Sequence, residues 1–369
     1  MLRTTAAVTE ERGAPFTIQD VDVDDPRSGE VRVELVACGV CHTDAIARDG
    51  DLPFPFPGVL GHEGVGRVEA VGDGVTSVAV GDPVLLGWPW CGRCRNCVAG
   101  QPRFCLQLGP LVGSGGREDG STALARPSGE PLHSHFFGQS SFARHAVTAE
   151  RWLLPLQTSA PLEAVGVLAC GIATGAGAVL NTLHLQAGSS LVVYGAGAVG
   201  LAAIMAARLT PATVVVAVEP NAARRDLAVK YGATDVVDPR AVDDVVATVH
   251  EICGGPADAA LDCTGILPVL RQAIDSVGML GTAVLIGGAP AGAEFSADHL
   301  TTLWGKRIVG TLGGESQTTR FVPALLALHD QGRFPFTDLI EYFPADQVNE
   351  AVAASHRGEV VKPVLRLDG

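Results

Sequence analysis

The sequence is short of the features that mark extended, exported or nucleic-acid-binding chains. Charged residues make up only 18% of its 369 positions, with both signs scattered, which excludes disordered tails and coiled-coil rods. It has no block of consecutive basic residues, and 26 Lys+Arg against 40 Asp+Glu leave a net charge of −14, so no nucleic-acid partner is expected. The N-terminal segment carries Arg3, Glu10, Glu11 and Arg12 and no apolar core, so it does not read as a secretory signal. The longest uncharged apolar stretch, 191–207, contains Gly195, Gly197 and Gly200 and falls short of the roughly 20 residues that span a bilayer. No membrane partner is expected, and the location read from these absences is cytoplasmic. Without an export signal, the nine cysteines are expected as thiols and metal ligands rather than disulfides.

What is present is a chain long enough for two domains at roughly 150 residues each. Glycine is abundant, 45 residues, which implies many tight turns and close backbone approaches and suits an α/β fold. Up to about residue 85, short runs such as "GEVRVELVACGV" and "GRVEAVGDGV" alternate branched apolar with polar or Gly positions and predict a β-rich unit. The Gly/Ser/Pro-rich stretch 109–138 reads as a long surface loop. From about residue 172, strand-like "SLVVYG", "TVVVAVE", "AALDCTG", "MLGTAVLIGG" and "KRIVGTLGG" are interspersed with helical "AVGLAAIMAARLT" and "NAARRDLAVKYG". Repeated βα units predict a parallel sheet covered on both faces. The tail adds helical "VPALLALHDQG" and "VNEAVAASHRG" and a closing strand, "VKPVLRL".

Three groups of residues carry chemistry. Cys91, Cys94, Cys97 and Cys105 are spaced to wrap one tetrahedral Zn²⁺ with no open position, which makes a structural site. An iron–sulfur cluster is the other option, although the spacing lacks the Cys-Pro ending of the bacterial ferredoxin pattern. Cys41 in "GVCHTD", His62 in "GHEG" and Cys170 in "ACGIATG" leave a fourth position open, as a catalytic zinc requires. On spacing alone the two cysteines fit equally as buried small hydrophobes. Gly195-Ala-Gly197-Ala198-Val199-Gly200 directly follows "LVVY" and opens a helix, with Glu219 ending the next strand. That context is what dinucleotide binding demands: glycines bring the backbone to the pyrophosphate at a helix N-terminus, and the acid binds the ribose diol. The Glu219 carboxylate favours NAD over NADP, against the counter-signal of Arg224 and Arg225.

In that order, the four-Cys loop, the Cys/His/Cys triple and the fingerprint resemble the zinc-dependent medium-chain alcohol dehydrogenases, from about Arg32 onward. "HFFGQSSFA" (His135 to Ala143), "CGIATGAGAVLN" (Cys170 to Asn181) and "QGRFPF" (Gln331 to Phe336) are similar to the aryl-alcohol (benzyl alcohol) branch. The resemblance implies an α/β protein of two domains: a GroES-like, β-rich catalytic domain over 1–171 and 309–369, and a Rossmann domain with a doubly wound parallel sheet over 172–308. It further implies two zinc ions per chain, NAD as cofactor, a small alcohol or aldehyde as partner, and a homodimer or homotetramer.

Carried over residue by residue, the resemblance puts catalytic zinc on Cys41, His62 and Cys170 and structural zinc on Cys91, Cys94, Cys97 and Cys105. Asp44 would accept from the other nitrogen of His62, Glu63 would sit just behind the metal, and Thr43 would place its hydroxyl on the substrate oxygen. His42 and Lys362 would meet the pyrophosphate, Thr174 would touch the nicotinamide ring, and Gly287, Gly288 and Ala289 would offer backbone to its carboxamide. Arg224 joins the cofactor set as a possible partner of the adenosine ribose. Trp88, Trp90, Phe136 and Phe137 are the pocket-lining candidates. One departure stands out: where many members carry a proton-relay His, five residues after the first Cys ligand, this chain has Ile46. The function so implied is interconversion of a primary aryl or allylic alcohol and its aldehyde. A thiol-adduct formaldehyde dehydrogenase is the alternative within the fold, and a non-catalytic zinc- and dinucleotide-binding protein is the alternative outside it.

Overall fold

The strands Ser190–Tyr194, Val214–Val218 and Ala257–Asp262 are buried along almost their whole length, as in a sheet covered on both faces, whereas Leu2–Thr9, Thr17–Val23 and Gly64–Val71 each carry exposed residues, so two kinds of sheet form. The computed structural model describes residues 1–367; positions 368 and 369 of the expected catalytic domain lie outside it. Two compact units emerge, one made of 1–170, 317–330 and 337 onward, the other of 171–316 and 331–336. Residues 309–316 and 331–336 thus pack with the second unit and not, as expected, with the first. Arg307–Gly310 pairs in parallel with Val277–Leu285, which carries the second unit's sheet past residue 308.

The first unit holds two β-sheets. A five-stranded sheet runs Gly58–Val59, Leu2–Thr9, Thr17–Val23, Leu124–Ala125, Pro131–Leu132. A seven-stranded sheet runs Leu153–Pro155, Pro83–Leu86, Gly64–Val71, Glu30–Gly39, Lys362–Arg366, Ile340–Pro344, with His145–Ala149 also paired to Glu30–Gly39. Their inward residues, among them Val8, Val21, Val33, Leu35, Val84 and Leu86, share one core with Phe136, Phe137 and Phe142. The stretch expected as a surface loop, 109–138, is therefore only partly one. It contains the end of the helix Leu108–Gly113 and two paired strands, and its last residues, His135 to Gly138, are buried. Two-residue strands are too short to give a period, so composition alone misreads them.

In the second unit the six strands are β1 Ser190–Tyr194, β2 Val214–Val218, β3 Asp235–Val237, β4 Ala257–Asp262, β5 Val277–Leu285 and β6 Arg307–Gly310. They lie in the order β3-β2-β1-β4-β5-β6, all parallel. This is the doubly wound order, with its switch point beside β1. The helix Ala198–Ala207 is apolar all round because it is buried all round from Gly200 onward. Gly200 is needed there, since a Cβ would run into the Gly195 carbonyl. Two helices outside the expected pattern, Val245–Cys253 and Leu267–Ser276, cover one face of the sheet through Val249, Leu270, Ala273 and Ile274. Among the described residues no single helix is long and apolar enough to cross a membrane.

Candidate active site

Cys41 ends an extended segment and caps the helix His42–Arg48. The completely buried Asp44 carboxylate closes that cap by accepting the Cys41 N–H at 2.9 Å. It also accepts the Gly61 N–H at 3.1 Å and lies 2.8 Å from His62 Nδ1. A single carboxylate thus fixes the first cysteine's backbone and orients the imidazole, leaving Nε2 to face Cys170 Sγ at 3.3 Å. Burial opposes a charge on His62, yet Asp44 and Cys41 overcome it and lift its pKa to about 10. Hydrogen bonding to Cys170, and His62 beside it, push the Cys41 thiol well below its ordinary value.

One ligand atom each from Cys41, His62, Glu63 and Cys170 lies within 4.8 Å of the others. Two sulfurs and an imidazole nitrogen with a carboxylate alongside are a donor set that suits zinc. Glu63 is completely buried and paired to Lys362 Nζ, 2.8 Å from Oε1 and 2.6 Å from Oε2. Burial pushes Glu63 up to about 6 against the pull of Lys362. The resemblance puts Lys362 at the pyrophosphate. It is instead buried, donating to Glu63 and to the Val40 carbonyl at 3.0 Å. Its strand has neighbours on both sides, and a desolvated ammonium there requires an anionic partner.

The four sulfurs of Cys91, Cys94, Cys97 and Cys105 likewise lie within 4.8 Å of one another, in a loop the chain turns at Gly92 with φ 73°. Backbone N–H groups of Cys91, Cys94, Leu106 and Gln107 donate to these sulfurs at 3.3–3.4 Å. N–H donation favours thiolates, and the Leu106 and Cys97 amides bring Cys94 down to about 6. All nine cysteines are free thiols.

Aromatic rings close around His62. Phe137 stacks on it at 4.5 Å, Phe136 meets it edge-on at 5.7 Å, and Trp88 meets Phe137 edge-on at 4.9 Å. Phe137 is held at φ 52° and His135 at φ 62°, a left-handed backbone that bulky residues rarely adopt and that marks functional loops. The segment is pinned by Gln139, whose side chain accepts from the Gly64 N–H at 3.0 Å and donates to the Leu86 carbonyl at 3.4 Å. Trp90 stands apart from this ring set: its side chain lies beside Gly92, and its carbonyl accepts from Trp152 Nε1 at 3.0 Å. Sequence reasoning missed Gln139 and also Arg103, a buried guanidinium over the Trp88 face at 4.5 Å. Gln139 lies inside the "HFFGQSSFA" segment, where only the two phenylalanines stand out, and Arg103 has no local pattern that would have singled it out.

In the second unit, Gly195 takes φ 89° at the turn after β1. Glu219, at the end of β2, accepts the Ala196 N–H at 2.7 Å and the Asn221 N–H at 2.8 Å. Arg225 is committed to Asp238 at 3.1 Å and to the Glu219 and Pro220 carbonyls. Arg224 has its Nε enclosed with no acceptor among the described residues. Thr174 is buried in the helix Gly171–Gly177, whereas Gly287, Gly288 and Ala289 follow β5 and His42 is exposed.

A GroES-like catalytic unit carrying two thiol-rich donor sets, with a doubly wound nucleotide-binding unit inserted in it, defines a zinc-dependent dehydrogenase. Family models agree: an alcohol dehydrogenase GroES-like domain matches residues 27–158 and a zinc-binding dehydrogenase domain matches 198–328. The chain belongs to the zinc-dependent medium-chain alcohol dehydrogenase family and is an NAD-dependent oxidoreductase. It is 43% identical over 362 residues to a geraniol dehydrogenase of Castellaniella defragrans, covering 98% of this chain and 96% of that one. It is 33% identical to an S-(hydroxymethyl)glutathione dehydrogenase of Paracoccus denitrificans, over 99% of this chain and 100% of the relative. The crystal structure of benzyl alcohol dehydrogenase from Acinetobacter calcoaceticus superposes with a TM-score of 0.95 at 39% identity, covering 99% of each chain.

Proposed function

We propose that this enzyme interconverts a primary aryl or allylic alcohol and its aldehyde, the alcohol carbon passing hydride to NAD⁺ and its hydroxyl releasing a proton. The observation that carries the reading is the aromatic cluster beside His62, with Phe137 stacked on the imidazole, Phe136 edge-on to it and Trp88 edge-on to Phe137, since an aryl or allylic substrate lays apolar area against such a wall and a two-carbon alcohol offers little. Cys41, His62 and Cys170 hold the catalytic zinc, with Glu63 as a transient ligand, and the four-Cys loop holds the structural zinc. The catalytic zinc, when bound, supplies Lewis-acid polarisation of the alcohol or carbonyl oxygen. Asp44 keeps His62 in the tautomer that offers Nε2. Thr43, whose Oγ1 lies 3.6 Å from Cys41 Sγ, takes a hydrogen bond from the substrate hydroxyl. The second unit holds NAD through Gly195 to Gly200, Glu219 and Arg224, with Thr174 and residues 287–289 at the nicotinamide. We assign the working form as a cytoplasmic homo-oligomer.

A panel of benzyl, cinnamyl and allylic terpenoid alcohols, ethanol and a hydroxymethyl-thiol, read by NADH absorbance, tests this. Burying roughly 100 Å² of ring at about 25 cal/mol per Å² gives about 2.5 kcal/mol, near 70-fold in kcat/KM for benzyl alcohol over ethanol. Ethanol equal to benzyl alcohol refutes the reading, and the hydroxymethyl-thiol as best substrate replaces it with the formaldehyde-dehydrogenase alternative.

Ile46, half-buried in the helix His42–Arg48, cannot accept a proton. A proton leaving Thr43 would therefore have no base at position 46 to receive it, and alcohol oxidation should climb toward alkaline pH. Ile46→His adds a base that titrates near neutrality, so it should raise single-turnover oxidation roughly tenfold at about pH 6 and less at about pH 9. A pH profile superimposable on wild type removes position 46 from proton transfer.

A further inference from the structure

We infer that the Trp88 indole N–H is a substrate-recognition donor, taking an acceptor oxygen carried on the ring of the alcohol; the inference rests on the aryl reading above. Trp88 follows the strand Pro83–Leu86, and its Nε1 is enclosed yet meets no hydrogen-bond acceptor among the described residues. Buried donors are nearly always paired, and one left unmade costs about 1–3 kcal/mol. Trp152 behaves in the ordinary way, donating to the Trp90 carbonyl at 3.0 Å.

The surroundings of Trp88 say which ligand it suits. Its ring sits one aromatic layer from the metal-site imidazole: His62 to Phe137 is 4.5 Å and Phe137 to Trp88 is 4.9 Å. An alcohol whose oxygen is at the donor set and whose ring lies along Phe137 carries its ring substituents toward Trp88. On the indole face, at 4.5 Å, lies the guanidinium of Arg103, which donates to Thr318 Oγ1 at 3.1 Å. A guanidinium is a cation at neutral pH. A cation over the indole draws π density away from the N–H and makes it a stronger donor. The same charge repels a cationic substituent. Both effects select an electron-rich oxygen, as in a methoxy- or hydroxy-substituted benzyl alcohol.

The test compares ortho-, meta- and para-methoxybenzyl alcohols with their ethyl isosteres, alongside benzyl alcohol and ethanol, in wild type and Trp88→Phe. Ethyl fills nearly the same space without an acceptor, and Phe keeps a ring without the donor. In wild type, one methoxy isomer should exceed its ethyl partner about tenfold in kcat/KM, mostly through KM, because the bond is made in ground and transition states alike. Trp88→Phe should lower that ratio about tenfold, leaving only the electronic difference between the two substituents. The electronic effect of methoxy on hydride transfer is common to both proteins and cancels. A wild-type ratio of one for every pair, or an advantage that survives in Trp88→Phe, overturns the inference. Equal losses with methoxy and ethyl substrates overturn it too, since they mean the N–H serves only water or packing. If the variant does not fold, the wild-type pairs still decide. Benzyl alcohol no better than ethanol sinks the aryl reading and this inference together, whereas a good benzyl rate with unit ratios sinks the inference alone.

Discussion

His62→Ala should lower turnover by about 10³-fold or more and take the metal content from two zinc ions per chain to one, while the protein stays folded. Loss of Lewis-acid assistance removes several kcal/mol of transition-state stabilisation, and about 4 kcal/mol corresponds to that factor. The fold survives because Asp44 keeps its two backbone partners, the amides of Cys41 and Gly61. Cys91→Ser should do the reverse. Its loop has little apolar burial of its own, with Cys91, Cys94 and Cys97 all partly exposed, so the metal is what orders it. A loss of about 3 kcal/mol would lower Tm by roughly 10 °C, with turnover per folded, metal-loaded site near wild type. Metal analysis and thermal melts on the two variants check the pair. One zinc or none in fully active wild type would refute the two-site assignment.

The second large effect concerns the choice of dinucleotide. Glu219→Gly should shift the kcat/KM ratio of NAD to NADP by roughly 150-fold, since about 3 kcal/mol is at stake in two charge-assisted bonds to ribose hydroxyls and in repulsion of a 2′-phosphate. Arg225 contributes little to the new preference because Asp238 and two carbonyls already hold it. Arg224, with its enclosed Nε, is the cation left to meet a phosphate. The substitution also removes the acceptor for the Ala196 and Asn221 amides, so some loss of stability should accompany it. Glu219→Gln keeps an acceptor oxygen and separates charge from scaffolding: it should lose NAD preference and retain more of the Tm. A wild-type enzyme that already favours NADP contradicts the assignment.

The second unit's sheet was legible because parallel strands buried on both faces read as unbroken apolar runs, as in "SLVVYG" and "TVVVAVE". The helices Val245–Cys253 and Leu267–Ser276 do not stand out between the strand-like runs, although their amphipathic spacing is present in the sequence. The donor sets were legible as motifs, and Asp44 lies where the resemblance put it, beside His62. Lys362 was not legible: its partner Glu63 is 299 residues away, and no local pattern distinguishes a buried ion pair from a solvated lysine. The same holds for the rings around His62, whose arrangement depends on left-handed backbone at His135 and Phe137 that few sequences signal outside Gly or Asn.

The strand Lys362–Arg366, which lies between Glu30–Gly39 and Ile340–Pro344, sets the order in which this chain can mature on the ribosome. When residue 170 emerges, both thiol-rich donor sets are already made, but Ala37–Gly39 lack the strand that pairs them on one flank and Glu63 lacks its counter-charge. At roughly 10 residues per second, translation leaves that seam open for about 20 s while the dinucleotide-binding unit, whose strands all fall between Ser190 and Gly310, is synthesised as a nearly self-contained insert. The nascent catalytic unit is thus a holding state, with an unpaired sheet edge and a desolvated carboxylate that only the closing strand neutralises.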